Sequence, residues 1–416
     1  MGQRNIIIVG AGAAGLMAAG QAAQGGAAAL VLEKMAQPGR KLGITGKGRC
    51  NLTNRAELPR FIEHFGPGGK FLHPAFARFF SEELIAFFEG LGLEMVTERG
   101  GRVFPACAKA PSVVRALVHW VKKCGARIRP ETPVEALTIE GGRVVGVRAG
   151  GRPWPCEAVI LATGGASYPA TGSTGDGYRL AQSAGHTLTP IRPALVPLET
   201  AGTGALAGLD LRNVGVQLRI DGTKRREAFG EMSFTDFGVS GPVILTMSGA
   251  AVEALEQGRR VTLALDLKPA LDEPKLDARL RQDFSARGRE PLRVLLRGLL
   301  PAALIPVCLE QTGLSPLAAG NQVGADERRR LRCWLKDFRI EVSGHRPLSE
   351  AIITAGGIPT REVDPSTMQS RIVKGLYLAG EILDVQADTG GYNLQAAFST
   401  GWLAGTCAAK DKSQVL

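Results

Sequence analysis

The stretch that decides the fold is NIIIVGAGAAGLMAAGQAAQGGAAALVLE, residues 5–33. Residues Asn5–Val9 are apolar and rich in β-branched side chains, as expected of a buried parallel strand. The Ala-rich segment Leu16–Gln24 predicts a helix that ends near Gly25-Gly26. Ala28–Leu32 predicts a second strand. The pattern therefore predicts a compact strand–helix–strand unit near the start of the chain.

A glycine-rich turn, GAGAAG at residues 10–15, joins the first predicted strand to the helix and fits the G-x-G-x-x-G pattern of dinucleotide-binding proteins. In this pattern the first glycine makes a tight turn, the second lets the backbone approach a pyrophosphate, and the third lets the helix pack on the strand. The free N–H groups at the helix N-terminus attract phosphates. Glu33 lies 18 residues beyond Gly15, where a carboxylate can accept hydrogen bonds from the adenosine ribose. The expected first contacts of a dinucleotide are Gly10, Gly12, Ala13, Ala14, Gly15 and Glu33.

The end of the chain again has the strand and helix pattern of a dinucleotide-binding fold. Gly375–Ala379 predicts a short buried strand, and Leu394–Ala409 predicts a helix. Gly380-Glu381 follows that strand and offers a close backbone approach and a carboxylate to a ribityl or phosphate group. Asn393 stands at the start of the helix, whose N-terminus would stabilise negative charge on the N1/C2=O edge of a reduced flavin. A flavin needs such a second anchoring segment. We therefore expect FAD, bound by a Rossmann-type domain whose sequence is split between the two ends of the chain.

Length and composition limit the alternatives. The chain has 416 residues, 44% of them hydrophobic, which is enough for two or three domains. Its seven cysteines are scattered without a CxxC pair or a Cys/His cluster, so we expect no metal site and reduced thiols in the cytoplasm. No apolar run reaches the roughly 18 residues that a membrane span needs, and the immediate entry into a strand argues against a cleaved leader. The formal net charge of +11 suits either an anionic cofactor with a basic surface or an RNA partner.

The middle of the chain changes character after about Ile191. Alternating segments there predict a β-rich second domain, and the residues that follow contain helical patterns with few strand signals. The expected domains are the dinucleotide-binding domain at 1–190 and 350–416, the β-rich domain at 191–268 and 339–349, and a helical insertion at 269–338. In the first of these, Ser81–Leu91 and Ser112–Cys124 are expected to be helices with serine N-caps.

Several loops carry a resemblance to a known family. They are GITGKGRCNLTN at 43–54, ATGG at 162–165, SYPATGSTGDG at 167–177, GLYLAGE at 375–381 and GGYNLQ at 390–395. Together they resemble the BaiN-like or aminoacetone-oxidase-like family of bacterial FAD-binding flavoproteins, nearly end to end. The resemblance implies an α/β fold with a glutathione-reductase-like Rossmann FAD domain, an inserted β-barrel-like domain and a helical domain nested in it.

The resemblance also implies an activity. The leading expectation is an FAD-dependent oxidoreductase that acts on a small molecule. If NAD(P)H is the electron donor, it would bind transiently, because the sequence has no second G-x-G-x-x-G pattern. One alternative is an RNA-modifying flavoenzyme that forms dihydrouridine in ribosomal RNA, which the basic charge suits. A second alternative is a flavin-binding protein without turnover. The substrate, the electron donor and the oligomeric state stay open at this point.

Carried over by motif, the resemblance implies a set of cofactor contacts. The loop Arg40–Asn51 would line the pyrophosphate, the ribityl chain and the flavin, and Val134 would meet the adenine through its backbone. Residues Thr163–Gly165 would pass close to the cofactor. Beyond the glycine-rich turn, the expected contacts are Lys34, Arg40, Lys41, Thr45, Gly48, Arg49, Cys50, Asn51, Val134, Thr163, Gly164, Gly165, Gly380, Glu381, Asp384, Gly391, Tyr392, Asn393 and Leu394.

Two residues are candidates for catalysis, and each has a structural alternative. Cys50 is either a proton donor or redox thiol whose pKa Arg49 tunes, or a small packing residue in a tight loop. Asp236 is either an acid/base near the substrate or the N-cap of a turn. The resemblance has two departures: the family pattern usually has His where this chain has Asp236, and in place of the segment Asp384–Thr389 it more often reads Asp-Gly-Pro before the Thr. Both departures concern the substrate side of the site.

An arginine run marks the place where an RNA partner would bind. Four cations stand close together on a predicted helix, next to the single acidic pair Asp326 and Glu327. Such a run is either a solvated helix face or a contact surface for RNA phosphates. The expected contact residues are Arg328, Arg329, Arg330 and Arg332.

Overall fold

The computed structural model describes residues 3–410. The strands are β1 Asn5–Val9, β2 Ala28–Leu32, β3 Thr53–Asn54, β4 Met95–Thr97, β5 Arg102–Pro105, β6 Arg127–Arg129, β7 Val134–Glu140, β8 Arg143–Ala149, β9 Arg152–Pro155, β10 Ala158–Leu161, β11 Thr189–Ala194, β12 Leu198–Thr200, β13 Asp210–Ile220, β14 Thr223–Phe234, β15 Gly238–Ser240, β16 Val261–Asp266, β17 Phe338–His345, β18 Ile353–Gly357 and β19 Leu376–Leu378. The α-helices are α1 Ala13–Gln24, α2 Leu58–Glu63, α3 His73–Phe76, α4 Ser81–Gly90, α5 Ala110–Lys123, α6 Asp176–Ser183, α7 Pro242–Glu256, α8 Glu273–Ala286, α9 Leu292–Leu295, α10 Leu304–Thr312, α11 Ala325–Lys336 and α12 Tyr392–Lys410.

The chain divides into two compact units. The first, called here the sheet unit, contains the residues up to Pro193 and those from Leu348 onward. The second, the barrel unit, contains Ala194–Pro347. The sheet unit is thus built from two segments of the sequence that are far apart, while the barrel unit is continuous.

A parallel sheet forms the centre of the sheet unit, in the order β19-β10-β1-β2-β6. The side chains of β10, and of β1 beyond Asn5, are buried, which is why these strands consist of almost uninterrupted apolar residues. The chain leaves β1 for β2 on one side and returns as β10 on the other, so the strand order reverses at β1. Ligands of such sheets bind beyond the carboxyl ends of the strands at this reversal. The segments that follow β1, β2, β10 and β19 therefore meet at one edge.

Helices α1 and α12 join the two sequence segments of the sheet unit. A Cβ atom placed on Gly401 of α12 would lie 2.3 Å from the carbonyl oxygen of Ala14, and one on Gly405 would lie 2.3 Å from that of Ala18. These distances leave no space for a side chain, so the two helices touch backbone to backbone. The contact fixes the last helix against the first.

A closed barrel of six strands, in the order β12-β15-β14-β13-β16-β17, forms the core of the barrel unit. Alternate residues of its strands, such as Val216 and Leu218 on β13, are buried inside. The same hydrophobic cluster continues into the helices that follow β16, through Leu280 of α8 and Leu331 of α11. Barrel and helices therefore share one core.

The two predicted serine N-caps are wrong, although the helices themselves are present. Helix α4 begins at Ser81, and its first turn is closed by Glu83, whose carboxylate accepts the N–H of Phe80 at 3.0 Å. Helix α5 begins at Ala110, two residues before Ser112, with Pro111 in its first turn. Proline suits this position because its missing N–H has no helical partner there. Neither serine side chain caps its helix.

Within residues 3–410, no helix combines the length and apolar character needed to cross a membrane.

Candidate functional site

The glycine-rich turn after β1 has the shape of a phosphate cradle. Gly10 has a φ of 97°, which an L-residue rarely adopts, and its N–H donates to the carbonyl oxygen of Leu32 at 2.9 Å. A Cβ atom on Gly15 would lie 1.9 Å from the carbonyl oxygen of Gly10, so α1 packs directly on the turn. A Cβ atom on Gly12, by contrast, would meet no atom within 4 Å. Gly12, where α1 begins, is thus an open position next to a tight turn and a closely packed helix. The space at Gly12 fits a pyrophosphate.

Glu33 lies at the end of β2, beside this turn. One of its carboxylate oxygens accepts the N–H of Ala11 at 2.7 Å, and the other accepts the N–H of Met35 at 2.8 Å. These bonds fix the orientation of the carboxylate. Because each carboxylate oxygen has more than one lone pair, Glu33 can still accept hydrogen bonds from the ribose hydroxyls of a bound nucleotide.

The loop between β2 and β3 has an unusual backbone. Its 3₁₀ segment Leu42–Gly48 is interrupted, because Gly46 and Lys47 have φ values of 57° and 56°. Gly48 and Cys50 are also left-handed, at 81° and 61°. Non-glycine residues such as Lys47 and Cys50 hold this conformation at a cost of roughly 1–3 kcal/mol each, and only where the surroundings impose it. A Cβ atom on Gly48 would meet nothing within 4 Å, so this loop also leaves an open position.

Hydrogen bonds within and beyond the loop impose this shape. The hydroxyl of Thr45 donates to the carbonyl oxygen of Leu42 at 2.7 Å, and the N–H of Cys50 donates to the carbonyl oxygen of Thr45 at 3.0 Å. Lys34 pairs with Asp176 and also contacts the hydroxyl of Thr174.

Arg40 is exposed, and among the described residues it has no hydrogen-bond or ionic partner. Its charge is therefore available to an anionic ligand.

Lys41 and Glu381, two of the predicted cofactor contacts, are bound to each other. The ammonium group of Lys41 donates to a carboxylate oxygen of Glu381 at 2.7 Å and to the hydroxyl of Ser167 at 2.6 Å. The other carboxylate oxygen of Glu381 accepts the N–H of Thr354 at 2.8 Å. Thr354 is not among the predicted contacts, because no motif marks it and it lies 27 residues before its partner in the sequence. The network ties the loop after β2 to the segments after β10 and β19.

The N-terminus of α12 lies against the end of the same loop. A Cβ atom on Gly391 would lie 2.3 Å from the carbonyl oxygen of Thr53, and the side-chain amide of Asn54 donates to the carbonyl oxygen of Gly390 at 3.1 Å. The side chain of Asn393 accepts the N–H of Ala387 at 2.8 Å and donates to its carbonyl oxygen at 2.9 Å. Asn393 therefore holds the preceding loop in place.

The other predicted contact residues near α12 are partly or fully buried in the protein itself. The ring of Tyr392 is buried and stacks on His64, with the ring centres 4.0 Å apart. Leu394, two residues after Tyr392, and Asp384, in the preceding loop, are half-buried. What this region offers a cofactor is mainly the backbone at Gly391 and the helix N-terminus.

Two buried polar atoms at the predicted contacts have no partner. Among the described residues, neither the side-chain oxygen of Asn51 nor the hydroxyl of Thr163 makes a hydrogen bond. Such atoms are rare in native proteins and call for a ligand or an ordered water. Thr163 precedes Gly164, which has a φ of 75°, and Gly165, both at the end of β10. Val134 is buried at the start of β7. Two open glycines and two unpartnered polar atoms fit a dinucleotide cofactor.

Cys50 has the environment of a packing residue. It has no exposed surface, and burial raises the pKa of its thiol to about 12, against a smaller lowering by a hydrogen bond with Thr45. The thiol is therefore protonated at neutral pH and out of reach of a ligand. Arg49 does not tune this thiol, contrary to the prediction. Its guanidinium pairs with Glu98 and lies 4.4 Å from the ring centre of Phe104.

Asp236 is exposed in the turn between β14 and β15 of the barrel unit. The prediction that it caps this turn is wrong, because the hydroxyl of Thr235 does so by accepting the N–H of Gly238 at 3.1 Å. Among the described residues, the carboxylate of Asp236 has no hydrogen-bond or ionic partner. A role as an acid/base stays a prediction.

The arginine run on α11 is not a single exposed face, as was expected. Arg328 pairs with Asp277 of α8 at 2.9 Å, and Arg332 lies 3.4 Å from Asp277 and 3.4 Å from Glu273. These acids come from a neighbouring helix, not from the pair Asp326 and Glu327. Only Arg329 and Arg330 of the four are exposed.

The parallel sheet, the cradle and the loop around Gly48 define a dinucleotide-binding protein of the Rossmann type. The sequence pattern of the family described as HI0933-like protein Rossmann domain matches residues 4–407, and the chain belongs to this family. A 3-dehydro-bile acid delta(4,6)-reductase of Clostridium scindens is 34% identical over 406 residues, which cover 97% of this chain and 98% of that protein. A ribosomal RNA dihydrouridine synthase of Escherichia coli is 32% identical over 401 residues, which cover 95% and 96%.

Solved structures share the fold. A 3-ketosteroid delta1-dehydrogenase from Sterolibacterium denitrificans has a TM-score of 0.55 at 15% identity, with 99% of this chain and 100% of that one covered. A 3-ketosteroid-delta4-(5alpha)-dehydrogenase from Rhodococcus jostii has a TM-score of 0.53 at 17% identity, with 98% and 97% covered. The chain is thus an FAD-dependent oxidoreductase with a Rossmann fold. The predictions of family, fold class and cofactor are confirmed, and the alternative without turnover is set aside.

Proposed function

We propose that this enzyme saturates a carbon–carbon double bond that is conjugated to a carbonyl group. The observation that carries the proposal is the chemistry shared by the names of the two relatives at 34% and 32% identity. A 3-dehydro-bile acid has a carbonyl at C3, with which a double bond at position 4 is conjugated. Uridine has a C5=C6 bond conjugated to its C4 carbonyl. Both saturations add a hydride to the β-carbon and a proton to the α-carbon.

The residues of the sheet unit suit this chemistry by their placement. When bound and reduced, FAD supplies the hydride, and we propose NAD(P)H as the transient donor that reduces it. Glu33 and the turn at Gly12 would hold the adenosine and the pyrophosphate. The loop around Gly48 and the backbone at Gly391 would orient the ring system, and the N-terminus of α12 would stabilise negative charge on it.

We propose Asp236 as the group that delivers the proton. Its carboxylate is exposed and unpartnered within the described residues, while Cys50 is buried. The family pattern usually has His at this position, which is also a titratable side chain. Asp236→Asn should lower kcat by roughly 10²–10⁴-fold without changing bound FAD. Glu231→Gln, at an exposed acid on β14, serves as the control. Wild-type kcat in the Asp236 variant would remove it from the mechanism.

The proposed reaction is tested with the reduced holoenzyme under anaerobic conditions. The enzyme is mixed with a ring enone, with the same ring carrying an isolated double bond, and with a uridine-containing RNA oligonucleotide. The enone or the uridine should reoxidise the flavin and gain two hydrogens, as measured by absorbance and product mass, whereas the isolated double bond should not react. The proposal fails if neither conjugated substrate reoxidises the flavin faster than buffer.

A small molecule is the first candidate substrate, because a relative named for a bile acid is 34% identical over nearly the whole chain. Uridine in ribosomal RNA is the second candidate, favoured by the uneven distribution of basic residues described below. The seven cysteines are all free thiols, which supports the cytoplasm as the place of action.

A further inference from the structure

Two segments of the sheet unit contain basic residues and no acidic ones. Residues 34–56 include six Lys and Arg, and residues 99–130 include eight, with no Asp or Glu in either segment. In the whole chain, 50 basic residues are balanced by 39 acidic ones. The excess positive charge is therefore concentrated in these segments.

The fold brings the two segments together. Strand β3 pairs with β5, which joins Thr53 to Val103. In the loop after β2, a Cβ atom on Gly39 would lie 2.6 Å from a methyl group of Val114 in α5. The loop that would hold the flavin therefore packs on α5. Positively charged side chains along α5 therefore lie beside the proposed cofactor site.

Helix α5 presents this charge on one side. Val113, Leu117 and Val121 are fully buried. Its opposite side, together with its N-cap, carries four exposed cations, called here the basic face. They are Lys109, Arg115, Lys122 and Lys123. Within residues 3–410, none of the four forms an ion pair. Arg115 donates only to the neutral hydroxyl of Ser112, at 2.9 Å.

The helix dipole explains only half of these cations. Lys122 and Lys123 lie in the last turn of α5, where positive charge is favourable. Lys109 and Arg115 lie at the N-cap and in the first half of the helix, whose first turn contains no acid. The dipole opposes positive charge at Lys109 and does not favour it at Arg115, which lies beyond the first turn. An external anion would stabilise all four.

We propose that the basic face binds the phosphate backbone of a single-stranded RNA segment and leads it to the flavin. The inference rests on the second candidate of the proposed function, uridine in RNA. Helix α5 is about 21 Å long, which is enough to follow several phosphates. A membrane surface would also attract cations, but it requires apolar side chains beside them. Of the exposed large apolar side chains of the described residues, none lies on α5 and one, Ile44, lies in the two basic segments, which is too few to insert into a membrane surface.

The experiment compares two variants of the holoenzyme with equal charge loss. The test variant is Lys109→Gln, Arg115→Gln, Lys122→Gln and Lys123→Gln. The control carries Arg212→Gln, Arg289→Gln, Arg293→Gln and Arg297→Gln, at exposed and unpaired arginines of the barrel unit. Binding of a uridine-containing RNA oligonucleotide is measured by fluorescence anisotropy over a range of salt concentrations. None of the eight positions belongs to the proposed cofactor site.

The test variant should bind RNA at least about tenfold more weakly than wild type. Its log affinity should fall with log salt about 0.7 less steeply for each phosphate that the variant no longer neutralises. The control should bind as wild type does. Equal weakening in both variants, no RNA binding by wild type, or binding to anionic vesicles in place of RNA would each overturn the proposal.

Reduction of the small enone separates this proposal from the proposed function. It should be unchanged in both variants, because a small molecule needs no phosphate-binding surface. Failure of both the enone and the uridine substrate to reoxidise the flavin in wild type would contradict the proposed function, not the basic face.

Discussion

Glycines in the sheet unit have two opposite functions. At Gly401 and Gly405, a Cβ atom would lie 2.3 Å from a carbonyl oxygen of α1. At Gly12 and Gly48, it would meet no atom within 4 Å. The first pair closes the fold, since only glycine allows two helix backbones to touch. The second pair keeps space open along the sheet edge. Stability and cofactor binding should therefore respond to different substitutions, at closed and at open positions.

The largest effect is expected at a closed position. Gly401→Ala places a methyl group against the carbonyl oxygen of Ala14, so α12 must move away from α1. We expect the free energy of unfolding to fall by about 3 kcal/mol or more, as measured by urea denaturation. Gly90→Ala is the control, because Gly90 ends helix α4 with no atom within 4 Å of its Cβ position. Equal stability of the two variants would show that the helix contact adapts.

The next effect is expected at Glu33, whose carboxylate accepts the N–H of Ala11 beside the open position at Gly12. Glu33→Ala removes a charged acceptor for the ribose, so FAD should bind more weakly by about 1.5–3 kcal/mol. Unfolding of the apoprotein should change less, although the N–H groups of Ala11 and Met35 lose their acceptor. Fluorescence titration with FAD measures the affinity, with Glu63→Ala at an exposed acid of α2 as the control. Unchanged affinity would mean that Glu33 does not contact the ribose.

A smaller effect on affinity is expected at Gly12, an open position. Its φ of −82° is acceptable to any residue, so Gly12→Ala should leave apoprotein unfolding within about 0.5 kcal/mol of wild type. The added methyl group would occupy the space of the pyrophosphate, and FAD affinity should fall about tenfold, or roughly 1.4 kcal/mol. If Gly12→Ala loses as much stability as Gly401→Ala, open and closed glycine positions do not differ in their effect on stability.

The smallest effect is expected at His186, a buried polar residue, and concerns the pH dependence of stability. His186 is buried between Glu362, whose Oε2 lies 3.0 Å from its Nδ1, and Ser370, whose Oγ lies 2.8 Å from its Nε2. Burial lowers the pKa of His186, against an opposing effect of Glu362. The unfolded chain therefore binds the proton more readily, and stability should be lost as the pH falls below about 6.5.

Urea unfolding between about pH 7.5 and 5.5 measures this loss of stability. His186→Gln should make the decrease in stability less steep, while His73→Gln, at an exposed position, should not. Neither substitution should change the affinity for FAD directly. If His186→Gln has the same pH dependence as wild type, other groups cause the acid sensitivity.

Local patterns in the sequence predicted the closed core well. Both strands of the first strand–helix–strand unit begin and end as predicted, because their apolar residues and the flanking glycines are neighbours in sequence. Contacts between distant residues could not be predicted. Arg328 is neutralised by Asp277, which lies 51 residues away, and Lys41 by Glu381, which lies 340 residues away. The burial of Cys50 is likewise a tertiary property, which its motif does not reveal.

The parallel sheet also determines when the protein can fold during its synthesis. Strand β19 and helix α12 complete the sheet unit, yet they are made after the whole barrel unit. A ribosome that adds about 5–20 residues per second needs tens of seconds to pass from β1 to β19. During that interval β10 lacks its outer neighbour and α1 lacks α12. The barrel unit, continuous in sequence, can fold first, and the site proposed for FAD is complete only once α12 has been translated.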